Sequence, residues 1–143
     1  MTTLRRLTID DHAAILALWQ RAGLHSIRPE GRDSRSEFEK QFAGGQIAIG
    51  LEEDGKLIGV VLATNDTRKG WINRLAIDPA YRRKGYGEQL AQAAEAALRE
   101  IGLRLIAALI EEGNDASLAL FEKLGYAVHQ HIYYVSKRDS NEA

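Results

Sequence analysis

Between residues 46 and 110 the hydrophobic period changes from two to that of a helix and back, and this switch constrains the fold more than any single residue does. Residues 46–52 alternate, with Ile47, Ile49 and Leu51 on one face. Residues 57–63 and 71–77 read as two further strands. Asp54-Gly55 is a dipeptide favoured in tight hairpin turns, and a polar turn over residues 65–70 separates the second strand from the third. Short joins of this kind make an antiparallel meander. From Gly85 to Ile101 the period becomes helical: Leu90, Ala94, Ala97, Leu98 and Ile101 form one stripe, and Gly102 stops it. Residues 103–110 are nearly continuously apolar, the pattern of a strand buried on both faces. Strand, helix and strand with short joins require a right-handed crossover and a parallel pair.

The flanks complete the expected order. Residues 3–7 are a short strand candidate, and Thr8 with Asp11 forms a capping-box-like start. Ile15, Leu18, Trp19 and Ala22 then mark the buried stripe of a helix ended by Gly23. Pro29 and Gly31 punctuate a loop over residues 24–33. Ser34 and Glu37 have capping-box spacing before a short helix carrying Phe38 and Phe42. After the apolar strand, a helix is expected over residues 116–124, closed by Gly125, and a last strand over residues 126–135. The fold class is α+β: a mixed, mostly antiparallel sheet flanked by helices, with one parallel βαβ unit.

Composition narrows the function. The 143 residues suit a single domain spanning 1–143. Nineteen Lys and Arg against 20 Asp and Glu argue against a general polyanion binder, so nucleic acid is not an expected partner. There are no cysteines, which removes disulfides, thiolate metal sites and a cysteine acyl-enzyme. His129 and His131 would share one strand face, but no third ligand clusters beside them, so no metal is expected. No apolar run approaches the roughly 18 residues of a membrane span, so the expected location is the cytoplasm, away from membranes.

The most informative segment is Asp78-Pro79-Ala80-Tyr81-Arg82-Arg83-Lys84-Gly85-Tyr86-Gly87, which joins a strand to a helix start. A helix N-terminus offers unpaired N–H groups and the positive end of its dipole. Glycines let a ligand approach the backbone, and three cations add full charge. The physical reading is a diphosphate site. The spacing is neither that of a Walker loop nor that of a dinucleotide-binding fingerprint.

These residues resemble the GNAT superfamily of acyl-CoA-dependent N-acyltransferases. Arg82-x-x-Gly85-x-Gly87 resembles that family's pyrophosphate motif, and Leu75-Ala76-Ile77-Asp78-Pro79 resembles the strand end before it. Asn114, Phe121 and Leu124-Gly125-Tyr126 resemble the downstream segment, and Leu18-Trp19 is similar to the start of small bacterial members. The resemblance implies acetyl-CoA as co-substrate. It implies that the backbone of Leu75, Ala76 and Ile77 lies along the pantetheine arm beside a bulge. Arg82, Arg83, Lys84, Gly85, Tyr86 and Gly87 would hold the diphosphate, and Asn114, Ser117 and Phe121 would line the coenzyme cleft. Asn114 also suits a helix N-cap.

The implied reaction is direct transfer to a primary amine, on a small molecule or on a protein or peptide. A base must take the amine proton, and an acid assists the leaving thiolate. The sequence departs from the family on both counts. Phe121 stands where relatives carry a tyrosine acid, and Trp71-Ile72-Asn73-Arg74 lacks the usual glutamate. Three readings stay open: Tyr133 or Tyr134 as acid, Glu111 or Glu112 as base through water, or catalysis mainly by positioning. An acyl-CoA-binding sensor with little catalysis is the alternative. His25, Arg28, Arg32 and Arg35 lie in the loop and short helix expected to cover the acceptor, where the arginines could hold a carboxylate. A bare last edge would favour a homodimer.

Overall fold

The computed structural model describes residues 1–143. Five strands, β1 (Thr2–Arg6), β2 (Ile47–Glu53), β3 (Lys56–Asn65), β4 (Gly70–Ile77) and β5 (Ile106–Ala108), form one sheet in the order β1-β2-β3-β4-β5. Every pairing is antiparallel except β4 with β5, which is parallel. Four helices, α1 (His12–Ala22), α2 (Arg35–Ala43), α3 (Tyr86–Glu100) and α4 (Asp115–Lys123), flank it. The meander, the switch of period and the parallel crossover all form as expected.

Local chemistry sets the helix ends. Thr8 and Asp11 make a reciprocal capping box around a 3-10 turn that leads into α1. Gly23 closes α1 in the left-handed region at φ 79°. Ser34 accepts the Glu37 N–H at 3.2 Å, but the Glu37 carboxylate pairs with Lys40 instead of returning to Ser34. That box is half-formed.

The core has one layer on each face of the sheet. Ile49, Leu51, Ile58, Val61 and Ile72 pack with Leu90, Ala94 and Leu98 of α3 and Phe121 of α4. On the other face Ala48, Val60, Leu62 and Ala76 pack with Ile15, Leu18 and Trp19 of α1 and Phe38 of α2. Covering both faces buries β3 almost continuously. A Cβ on Gly59 would lie 2.7 Å from Leu90 Cδ1, so the small residue sets how closely α3 approaches β3.

Two expectations are corrected at the C-terminal side. β5 spans three residues and not eight, and Leu105 and Leu109 are 57% and 60% exposed. The expected last strand over residues 126–135 does not form, and Ile132, Tyr133, Tyr134 and Val135 are exposed. The physical reason is the same in both places. β5 pairs on one side only, so an apolar run there does not find cover all round. An alternating segment that joins no sheet edge leaves its backbone groups to water. The chain is tied at the start of this segment and again well beyond it: Tyr126 donates to Glu95 at 2.7 Å, and Arg28 donates to the Asn141 carbonyl at 2.8 Å.

Candidate active site

β4 and β5 are in register over Gly70 with Ile106, Trp71 with Ala107 and Ile72 with Ala108. β5 then ends while β4 continues to Ile77, so the sheet opens between them. β4 also departs from regular pairing here. Asn73 lies opposite Leu62 and Ala76 opposite Val60, which sets Arg74 and Leu75 against the single residue Val61. This is a β-bulge, and Arg74 takes a left-handed conformation at φ 49°. The opening is a cleft of about 330 Å³. The end of α1 and the loop after it contribute Ala22–Ser26; β4 contributes Ile72, Arg74 and Leu75. The far wall is Ala108–Glu111 with Asn114, Ser117 and Phe121 of the α4 region.

Arg74 is held from three sides. Its Nη1 lies 2.6 Å from Asp33 Oδ1, and its Nη2 donates to the Ser26 carbonyl at 3.1 Å. The guanidinium sits 4.6 Å from the centre of the Trp19 ring, a cation–π contact. Asp33 is buried, and its other oxygen accepts the Arg28 backbone N–H at 2.6 Å. A left-handed non-glycine residue is strained and persists where its surroundings over-determine it. Arg74 thereby ties the α1–α2 loop to the bulge. The roles of Arg74 and Asp33 are not legible in the sequence, because they depend on a contact across 41 residues.

The basic loop lies beside the cleft. Asp78 accepts the Ala80 N–H and caps a 3-10 turn over Pro79–Tyr81. The Ala80 N–H, then Arg21 at 3.0 Å, hold the Asp78 carboxyl below the usual carboxylate range despite its burial. Arg83 turns left-handed at φ 65°, and Gly85 caps α3 at φ 79° with no side chain closing the helix end. Arg82 donates to the Ala22 carbonyl at 3.3 Å, and Lys84 lies over Tyr81. The ion pairs of the chain include none with Arg82, Arg83 or Lys84. Gly87 faces Leu120 and Leu75, where a Cβ would make ordinary contacts at 3.5 and 4.0 Å. The first turn of α3 therefore adjoins the cleft wall at Leu75. Tyr86 packs its side chain against the core.

The other expected residues divide. Asn114, Ser117 and Phe121 meet on the cleft wall, with Asn114 also accepting the Ser117 N–H as the N-cap of α4. Phe121 is buried and stacks edge-to-face on Tyr126, ring centres 5.0 Å apart. Burial, then the hydrogen bond to Glu95, push the Tyr126 hydroxyl well above its ordinary value. Ala76 turns to the α1 side of the sheet, while Ile77 packs on the α3 side. Glu111 lines the cleft, but Glu112 is exposed beside it and outside the lining. Tyr133 and Tyr134, 90% and 73% exposed, also lie outside it. A smaller hollow of about 240 Å³ is formed wholly by Val128–Ile132 and shares no residue with the cleft.

A parallel pair that parts beside a bulge, with a basic glycine loop at the next helix start, defines an acyltransferase architecture. Residues 12–126 match the model of the acetyltransferase (GNAT) family, and the chain belongs to that family. It is 29% identical over 118 residues to an acetyltransferase of Pectobacterium atrosepticum, covering 82% of each chain. Its fold is similar to that of the PaiA N-acetyltransferase of Thermoplasma acidophilum solved with coenzyme A. There the TM-score is 0.78 and the identity 19%, over 90% of this chain and 91% of that one. It is also similar to the ribosomal-protein-S18-alanine N-acetyltransferase of Escherichia coli, with a TM-score of 0.72 and 25% identity over 87% and 77% of the two chains. None of these likenesses assigns a substrate.

Proposed function

We propose that this acetyltransferase moves an acetyl group from acetyl-CoA directly to a primary amine while both are bound. The observation that carries the reading is the opening between β4 and β5 at the Arg74–Leu75 bulge, adjoining the start of α3, which no side chain caps. The chain's donors suit coenzyme A. Free N–H groups at the start of α3, with Arg82, Arg83 and Lys84, match a diphosphate. Leu75, Ile110 and Phe121 offer an apolar wall to a thin pantetheine arm. Acetyl-CoA would supply the acyl carbon as a thioester.

The chain's own task is orientation and proton handling. An amine such as that of lysine is mostly protonated at neutral pH, so a proton must leave before a C–N bond can form and the C–S bond break. Among the cleft residues, Glu111 and His25 are the groups able to take it, directly or through water. A backbone N–H at the bulge would polarise the thioester carbonyl. Phe121 carries no proton, and neither Tyr133 nor Tyr134 lines the cleft, so solvent protonates the departing thiolate. With the leaving group unassisted, holding the two substrates together supplies much of the rate.

The test joins binding to turnover. Arg82→Ala with Gly87→Ala should weaken acetyl-CoA binding at least tenfold by calorimetry, and the ordinary contacts around Gly87 leave room for the added methyl. Unaltered affinity in the folded double variant refutes the coenzyme site. Phe121 in place of an acid favours one other reading, an acyl-CoA-binding module. Tight acetyl-CoA binding with no thiol release across a broad amine panel would select it.

A further inference from the structure

The acceptor side of the cleft gathers positive charge that the chain does not neutralise. Arg32 donates to the Ser26 carbonyl at 2.9 Å, the same oxygen that Arg74 reaches at 3.1 Å. Ser26 and Arg74 line the cleft, and Arg32 reaches the Ser26 carbonyl from outside that lining. Two guanidinium groups therefore converge on one neutral acceptor at its wall. The carboxylate beside Arg74 is Asp33, and both its oxygens are engaged, by Arg74 and by the Arg28 backbone N–H. Arg32 makes no ion pair, and its Nε is buried with no hydrogen-bond partner. Arg28 adds a third charge bonded only to carbonyls, those of His25, Ile27 and Asn141. Glu30, in the same loop, is exposed and pairs with none of them.

Like charges drawn together with one spent carboxylate repel, and an unpartnered buried donor costs free energy. Partial burial, then the Arg74 charge, lower the Arg32 guanidinium's affinity for its proton. An anion beside Arg32 and Arg74 offsets the repulsion, and arginine forks match carboxylate and phosphate oxygens.

We propose that the acceptor amine carries a carboxylate or phosphate group, and that Arg32 and Arg74 bind it at the Ser26 wall of the cleft. This rests on the acetyltransferase reading and adds the class of acceptor. A polycationic acceptor would meet like charge at that wall.

The experiment compares amines that differ only in the anion. Thiol release from acetyl-CoA is measured with each of the common amino acids that carry a primary α-amine against its carboxamide, and with ethanolamine phosphate against ethanolamine. Acids or the phosphate should exceed their neutral partners at least tenfold in kcat/KM. The amino-acid and phosphate arms distinguish the two anions. Arg32→Gln should collapse the acid-to-amide ratio, and Arg32→Lys should restore part of it. Neutral partners turned over equally well would overturn the proposal, whatever any variant does. So would a ratio that survives Arg32→Gln, or no turnover with any pair while acetyl-CoA binds. Failure to bind acetyl-CoA at all would instead sink the acetyltransferase reading beneath it.

Discussion

Strand β3 and the segment over residues 126–135 carry similar apolar material and meet different fates. β3 lies between β2 and β4 and under helices on both faces, and seven of its ten residues are buried. Residues 127–135 are exposed throughout. Both contain β-branched residues, and residues 126–135 add three tyrosines, so strand propensity does not favour β3 over the segment that stays unpaired. What separates them is a partner edge. The comparison teaches that an apolar pattern specifies which face a strand would present, not whether an edge is there to receive it.

The largest expected effect tests the well-covered side. Leu98→Ala, fully buried beneath β4, should cost about 2–5 kcal/mol by chemical denaturation through lost burial and a residual cavity. Ile132→Ala on the other side should change stability by less than about 0.5 kcal/mol. A loss at Ile132 approaching that at Leu98 would break the contrast and indicate that the segment is buried in solution.

A middle-sized effect comes from Asp78, where the strand hands over to the basic loop. Its carboxyl is held low by the Ala80 N–H and by Arg21, so it binds protons more weakly folded than unfolded. Its contribution to stability is therefore present above the unfolded value of about 4 and is lost as pH falls through the folded value. Asp78→Asn should cost roughly 1 kcal/mol at neutral pH, tempered by the partly exposed Arg21. Denaturation midpoints of variant and parent should converge as pH drops below about 4. A constant gap down to pH 3 would contradict the assignment.

The smallest expected effect sharpens the view of the C-terminal segment. Tyr133→Phe and Tyr134→Phe should each leave thiol release within twofold, because neither side chain lines the cleft. A larger fall in turnover with intact acetyl-CoA affinity would show that the segment reaches the reacting groups during catalysis.

Much of the proposed coenzyme side of the cleft was legible because it is local. A strand end, Pro79, three cations and two glycines within ten residues suffice to suggest an anion cradle, and the α3 start forms there. The helix face of Asn114, Ser117 and Phe121 was legible from spacing three and seven positions apart. The acceptor side was not. His25, Arg28 and Arg32 could be placed in a loop, but their charge balance rests on Asp33 meeting Arg74 across the sheet. Nothing near Arg74 marks it for a left-handed bulge, since non-glycine residues take that conformation only when distant contacts hold it.

By itself the sequence determined the periods, the caps, the meander with its parallel crossover, and the basic glycine loop. Each depends on residues a few positions apart, where covalent geometry and hydrogen-bond reach leave few choices. Tertiary structure decided how far β5 extends, whether residues 126–135 find an edge, and which arginines share the Ser26 carbonyl. Those outcomes turn on edges, burial and charge brought together from remote parts of the chain, and no local pattern encodes them.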